Sequence, residues 1–194
     1  YGKIQVYPAS AGIDLMSMSA HKIHGPKGCG ALYIKKGTRI NPVVYGGGQE
    51  WKLRSGTENV SGICGFGKAS EIIFQHIEEN YQNVNGLKEL FLNYLKKEID
   101  SRYQINSPAD GIPYILNVAF DRVKAEVLLH HLESVGIYIS TGSACSSRKN
   151  TRSHVLKAMG IEPSLIDGSV RVSFSGDNTK NDIIKAVEEI KKTI

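Results

Sequence analysis

The spacing of apolar residues along the chain changes between a two-residue and a helical period. Residues 12–18 alternate weakly between apolar and polar positions and predict a strand, and residues 30–34 predict a second strand beside it. Glycine and polar residues dominate 46–56, which predicts an irregular loop. Helical spacing follows to about Tyr81, and a second helical region runs from about 85 to 101.

The C-terminal part of the chain alternates strand and helix patterns. Strands are predicted at 115–120, 137–139 and 169–174, and helices at 124–135, 153–159 and 178–194. Thr57 or Asn59 is a suitable N-cap for the first long helix, and Thr179 with Asp182 resembles a capping box for the last. The alternation predicts an α/β or α+β domain from about residue 103 onward.

The composition narrows the classes of function. The chain has 194 residues, of which 41% are hydrophobic, and it contains no apolar run near the length of about 20 residues that a membrane helix needs. The net charge is +5, but the basic residues are scattered without interleaved aromatics, so we expect no direct nucleic-acid or membrane contact. A mildly basic surface favours an anionic ligand, such as a phosphate-bearing cofactor, or an acidic partner protein.

Three widely spaced cysteines lack metal-ligand spacing and form an odd set, which favours a reducing cytoplasm over a disulfide framework. Cys29 and Cys64 lie in apolar stretches and are predicted to be small core residues. Cys145 lies among small polar residues on a predicted flexible loop, where it could be a chance loop cysteine or a reactive thiol. Four basic residues follow it within nine positions and would lower its pKa: Arg148, Lys149, Arg152 and His154.

The segment around Lys22 has the parts of a pyridoxal phosphate anchor. The lysine amine would form a Schiff base with the cofactor, and Ser19 and His21 could donate hydrogen bonds to the phosphate. A surface lysine is the ordinary alternative for such a short match. The Gly25-Pro26 turn and the strand that follows favour the anchor.

Two further positions have both a structural and a functional interpretation. Thr57 could cap the helix or donate its hydroxyl to a phosphate at the helix N-terminus, with Arg54 adding charge. Arg171 lies on the strand face opposite Val170 and Val172. That face could be solvated, or the arginine could bind a carboxylate through two hydrogen bonds.

Five ordered motifs together resemble the cysteine desulfurases of the NifS/IscS group, which are class V aminotransferase-like enzymes of fold type I. The motifs lie at 19–22 (Ser-Ala-His-Lys), 25–28 (Gly-Pro-Lys-Gly), 46–50 (Gly-Gly-Gly-Gln-Glu), 54–59 (Arg-Ser-Gly-Thr-Glu-Asn) and 143–147 (Ser-Ala-Cys-Ser-Ser). The family commonly has Arg-Gly where this chain has Trp51-Lys52.

The resemblance implies a role for each candidate residue. Lys22 would bind pyridoxal 5'-phosphate, Ser19 and His21 would contact its phosphate, and Thr57 would contact the phosphate of the other subunit in a homodimer. Arg171 would hold the substrate carboxylate. Cys145 would take sulfur from L-cysteine as a persulfide and pass it to an acceptor, such as an iron–sulfur scaffold or a tRNA-thiolation enzyme.

The resemblance also implies how the chain is organised. Residues 1–60 would be the C-terminal part of the large cofactor-binding domain, 61–102 connecting helices, and 103–194 the complete small α+β domain carrying the Cys145 loop. The family's chains extend much further on the N-terminal side, so we expect the sequence to be a fragment or processed product of an α/β enzyme.

Other functions are compatible with the same residues. A selenocysteine lyase or another class V enzyme would share Lys22 without depending on Cys145. A catalytically incompetent fragment could act as a dimerisation or docking module. Absorbance after addition of pyridoxal phosphate, substrate choice and dependence on Cys145 distinguish these possibilities.

Overall fold

The computed structural model describes residues 1–141 and 152–194, which divide into an N-terminal unit, Tyr1–Glu79, and a C-terminal unit, Asn80–Ile194. The strands are β1 Leu15–Ser19, β2 Gly30–Ile34, β3 Tyr103–Ile105, β4 Ile115–Phe120, β5 Ser140–Thr141 and β6 Ser169–Ser173. The helices are α1 Val60–Gln75, α2 Ile77–Glu98, α3 Ala125–Ser134, α4 His154–Ala158, α5 Pro163–Asp167 and α6 Lys180–Thr193. No helix within these described ranges has the length and apolar character needed to cross a membrane.

The N-terminal unit is built on an antiparallel pair of strands. β1 and β2 pair from Leu15 opposite Ile34 to Ser19 opposite Gly30, which confirms the two adjacent strands predicted there. A cluster of buried side chains from the connecting turn and from α1 forms the core of this unit: Ala20, Ile23 and Phe66. The unit therefore depends on a small apolar contact between one turn and one helix.

Helix α1 begins at an asparagine cap. The Asn59 side chain accepts a hydrogen bond from the Gly62 amide at 3.1 Å, so Asn59 and not Thr57 is the N-cap. The break between α1 and α2 lies at His76, earlier than the predicted break after Tyr81. The break results from a local change of backbone angles at His76 (φ −120°, ψ 14°). Because no glycine or proline lies at this position, the sequence gives no signal for it.

The C-terminal unit is an antiparallel four-stranded sheet with strand order β3-β4-β6-β5. One face of the sheet carries Leu116, Val118 and Val170, which are buried in one apolar cluster. Helices α2, α3 and α6 contribute to the same cluster, for example through Phe91, whose ring packs edge-on against that of Phe174. The three helices therefore cover one face of the sheet.

The last helix matches its prediction closely. Thr179 and Asp182 form a reciprocal capping box at its N-terminus. Ile183, Val187 and Ile190 form the buried stripe that anchors it to the core.

Other predictions in this part of the chain are wrong in detail. The strand expected at 137–139 lies at β5, because among the residues that the structure describes in this segment it is Ser140 and Thr141 that pair with β6. Helix α5 and strand β3 are not among the predicted elements, and the three residues of β3 are too few to show a period. Cys64, predicted to be a core residue, is exposed, because Phe66 directs the opposite face of α1 inward.

Candidate cofactor and substrate site

Lys22 lies in a single 3₁₀ turn, Ala20–Ile23, between β1 and β2. Ala20 and Ile23 are buried, whereas His21 and Lys22 are exposed. The turn ends at His24, whose backbone is left-handed (φ 63°) and whose amide donates to the Ala20 carbonyl. The two buried residues thus fix the turn and leave the imidazole and the amine on its outer side.

Helix α1 holds this turn in place. Ala69 and Ile73 of α1 pack against the cluster that contains Ala20 and Ile23. Gly65 of α1 lies so close to the Gly-Pro turn that a Cβ there would be 2.6 Å from Pro26 Cγ. A glycine is therefore required at this close approach.

The donors of the turn are not engaged within the part of the chain that the structure describes. The Ser19 hydroxyl makes no capping hydrogen bond, and the His21 and Lys22 side chains form no hydrogen bond or ion pair with described residues. A primary amine, an imidazole and a hydroxyl on one turn match an aldehyde that carries a phosphate: the amine can bond to the carbonyl carbon and the other two can donate to phosphate oxygens. The donor set fits pyridoxal phosphate.

The loop that precedes α1 is tied together by side-chain hydrogen bonds. The buried Ser55 hydroxyl donates to the Gly47 carbonyl at 2.8 Å, and the Gly56 amide donates to Gln49 Oε1 at 3.2 Å. Arg54 donates to the Ser55 carbonyl at 2.9 Å. Thr57 is exposed, and because Asn59 caps the helix, the Thr57 hydroxyl remains available to a ligand.

Arg171 lies in the middle of the C-terminal sheet. It is half-buried on β6, on the face opposite the fully buried Val170. Its Nη2 atom donates a hydrogen bond to Ser140 Oγ on β5 at 3.2 Å. The predicted orientation of this strand is confirmed, while the role of the arginine stays a prediction.

Cys145 lies outside the described residues, together with Arg148 and Lys149. Arg152, expected to be one of the cations that activate the thiol, donates two hydrogen bonds to the Asp167 carboxylate at 2.7 and 2.6 Å. This bidentate pair lowers the pKa of Asp167 and compensates the charge of Arg152. Within the described residues Arg152 joins the segment just before α4 to the end of α5, and its part in activating Cys145 stays a prediction.

The predicted site residues fall in both units. Ser19, His21, Lys22 and Thr57 belong to the N-terminal unit, and Arg171 belongs to the C-terminal unit. Within the N-terminal unit, the structure brings Ser19, His21 and Lys22 together on one turn.

Comparison with known proteins assigns the family. The model of the class-V aminotransferase family matches residues 1–185, and the chain belongs to this family. It is 40% identical over 193 residues to a cysteine desulfurase IscS of Dictyoglomus turgidum and 41% identical to one of Methanosarcina thermophila. These alignments cover 100% of this chain but 49% and 48% of the two relatives, so the chain spans about half the length of the curated relatives it matches.

Solved structures agree with this assignment. A NifS-like protein from Rickettsia africae superposes with a TM-score of 0.88 at 33% identity, covering 100% of this chain and 51% of that chain. A structure described as SspA in complex with cysteine superposes with a TM-score of 0.70 at 28% identity, covering 92% and 49%. The fold is that of the NifS-like enzymes, whose cofactor is pyridoxal phosphate.

Proposed function

We propose that this chain carries the cofactor lysine, the substrate arginine and the sulfur-accepting thiol of a cysteine desulfurase. The reaction removes sulfur from L-cysteine, gives L-alanine and leaves a persulfide on Cys145. The names of the relatives support the reaction class, and the donor set on the Lys22 turn supports the cofactor.

One observation supports the link between the substrate arginine and the thiol. Arg171 is hydrogen-bonded to Ser140, and Cys145 follows Ser140 by five residues. Five residues extend the chain by at most about 18 Å. This tether is compatible with attack by the thiol on the sulfur of an L-cysteine whose carboxylate is held by Arg171.

Each residue has a distinct part in the proposed reaction. Pyridoxal phosphate, when bound, supplies an electron sink that acidifies the substrate α-carbon. Ser19 and His21 would bind its phosphate, and the Lys22 amine would anchor it and later carry protons to and from the substrate carbons. Arg171 would orient the substrate by binding its carboxylate through two parallel hydrogen bonds.

The transfer step is a displacement at sulfur. The Cys145 thiolate attacks Sγ of the substrate, and the new S–S bond forms as the Cβ–Sγ bond breaks. The electron pair of the broken bond remains with the carbon fragment, whose Cβ takes up a proton and becomes the methyl group of alanine. The sulfur stays on Cys145 as a persulfide.

The proposal extends to the oligomeric state, the domain boundaries, the cellular compartment and the sulfur acceptor. The exposed Thr57 hydroxyl, which the helix cap does not use, would contact the cofactor phosphate of a second copy in a homodimer. Residues 1–60 would belong to the cofactor-binding domain, 61–102 to connecting helices and 103–194 to the small domain. The odd cysteine set favours the cytoplasm, with an iron–sulfur scaffold or a tRNA-thiolation enzyme as sulfur acceptor.

The test is to follow sulfur from radiolabelled L-cysteine in the protein purified from its native cells. We expect alanine to form and labelled sulfur to appear on Cys145. Cys145→Ser should abolish both while the visible absorbance of the bound cofactor is retained. Cys64→Ser, which changes an exposed free cysteine in the N-terminal unit, is the matched control and should change neither.

Two outcomes would contradict the proposal. Alanine formation at an unchanged rate in Cys145→Ser would remove the thiol from the reaction. Release of selenium from selenocysteine by the same variant, with no turnover of L-cysteine by the unmodified protein, would identify a selenocysteine lyase.

A further inference from the structure

The strands next to β6 place two polar residues directly beside Arg171. Asn117 on β4 and Ser140 on β5 are both opposite Arg171 in the strand register. Residues opposite each other on neighbouring antiparallel strands project to the same face of the sheet. Asn117, Arg171 and Ser140 therefore form a polar row across three strands, on the face away from Val118 and Val170.

Arg171 is half-buried in this row without a carboxylate partner. It forms no ion pair within residues 1–141 and 152–194, and the segment 142–151 contains no aspartate or glutamate. Its one hydrogen bond to a described side chain uses one of the five N–H donors of a guanidinium. The remaining donors are available to an anion, and their fork geometry suits a carboxylate.

The other side of the row is held by a buried amide. Asn106 is 8% exposed and donates from Nδ2 to Asn117 Oδ1 at 2.8 Å and to Ser169 Oγ at 3.2 Å. Its own Oδ1 accepts from Gln104 Nε2 at 2.9 Å, and its backbone amide donates to the Asn117 carbonyl. A buried polar group with its hydrogen bonds satisfied is rigid, so Asn106 fixes the Asn117 side chain next to Arg171.

We infer that Ser140, on one side, and Asn117 held by Asn106, on the other, are positioning residues that orient the Arg171 guanidinium toward the α-carboxylate of an amino-acid substrate. This inference rests on the proposed function for the identity of the ligand. The two neighbours of Arg171 are neutral, so they restrict the guanidinium without compensating its charge. A carboxylate in either place would instead compete with the substrate.

The direct test is the mobility of the Arg171 side chain, measured by ¹⁵N relaxation at Nε in the native protein. We expect Ser140→Ala to lower the order parameter of Arg171 Nε and Ser140→Thr to restore it, because threonine keeps the hydroxyl. Ser173→Ala is the matched control: Ser173 is exposed on the same face of β6 and forms no side-chain hydrogen bond with described residues. An unchanged order parameter in Ser140→Ala would overturn the inference.

A kinetic measurement separates this inference from the proposed function. Loss of the hydrogen bond from the charged Arg171 guanidinium in Ser140→Ala should raise KM for L-cysteine about tenfold with kcat unchanged. Asn117→Asp keeps an acceptor for Asn106 but adds a carboxylate beside Arg171, and should raise KM further. A change in kcat with an unchanged KM would contradict positioning through the carboxylate. If the unmodified protein does not turn over L-cysteine, the proposed function fails, while the relaxation result still decides whether Ser140 orders Arg171.

Discussion

The two units differ in how they hold their candidate functional residue. Counted over the described residues, the apolar cluster behind the Lys22 turn has three buried members, whereas the cluster behind the Arg171 sheet has seventeen. Lys22 is fixed by the contact of one turn with one helix. Arg171 lies on a strand between two neighbours, with a helix-covered core on the other face.

The sheet that carries Arg171 is therefore expected to be more rigid than the turn that carries Lys22. Burial of apolar area stabilises by about 25 cal/mol per Å², so the larger cluster gives the Arg171 sheet more resistance to local opening. The Lys22 turn has fewer contacts to lose. Changes to its few packing contacts should therefore affect the position of Lys22 directly.

The largest loss of stability is expected when an aromatic ring is removed from the core of the C-terminal unit. Phe120 is fully buried, and Phe120→Ala should destabilise this unit by about 3–5 kcal/mol. All members of its cluster lie in the C-terminal unit. Hydrogen exchange should therefore show faster exchange in β4 and β6 and unchanged exchange in β1 and β2. Equal acceleration in both pairs of strands would show that the two cores are not independent.

A smaller loss of stability is expected from a substitution in α1 at its close approach to the Lys22 turn. In Gly65→Ala the new Cβ would meet Pro26 at 2.6 Å, and overpacking of this kind costs about 1–3 kcal/mol. The gain in helix propensity offsets about 1 kcal/mol of that cost. We expect the stability of the N-terminal unit to fall by up to about 2 kcal/mol in Gly65→Ala, which should appear as faster hydrogen exchange at residues 18–30.

Gly67→Ala is the control for this substitution. Gly67 lies on the same helix with open space where a Cβ would be placed. It should gain up to about 1 kcal/mol from helix propensity alone. If the two alanine variants behave alike, the close contact with Pro26 does not hold the turn.

The smallest effect is expected for the Arg152–Asp167 pair, because both side chains are 46% exposed. The folded-state pKa of Asp167 is lowered by its hydrogen bonds to Arg152. The pair therefore stabilises the folded chain above the ordinary aspartate pKa, and this contribution is lost as the pH falls through the lowered folded pKa. Asp167→Asn should unfold at a slightly lower temperature than the unmodified chain at pH 7 and at the same temperature at about pH 2.

Glu71→Gln provides the comparison for this pair, since Lys68 and Glu71 form a single exposed contact within one helix. It should lower the unfolding temperature by less than Asp167→Asn, because the Arg152 contact is bidentate and joins the segment before α4 to helix α5. A difference between Asp167→Asn and the unmodified chain that persists at about pH 2 would contradict the assignment to this ion pair.

Sequence patterns predicted the regular parts of the fold well where local chemistry decides the structure. The strands β2 and β4 and the Thr179–Asp182 capping box lie where they were expected. Strand β5 is misplaced in the prediction because Ile137 and Ile139 have the apolar alternation of a strand, yet the described residues that pair with β6 are the next two, Ser140 and Thr141. Strand ends that depend on a distant partner leave no local signal.

The candidate site shows the same contrast. The Lys22 motif is contiguous, so its Ser19, His21 and Lys22 could be found together in the sequence. The neighbours of Arg171 could not, because Asn117 and Ser140 are distant in sequence and meet it only through the strand register. The pairing of Arg152 with Asp167 is equally invisible until α4 and α5 are placed.

The most direct test of the account is to map where pyridoxal phosphate attaches to the native protein. Reduction with borohydride makes the attachment permanent, and peptide mass spectrometry then locates the added mass. We expect the added mass on Lys22 and none in Lys22→Ala. Attachment at another lysine, with Lys22 unmodified, would contradict it.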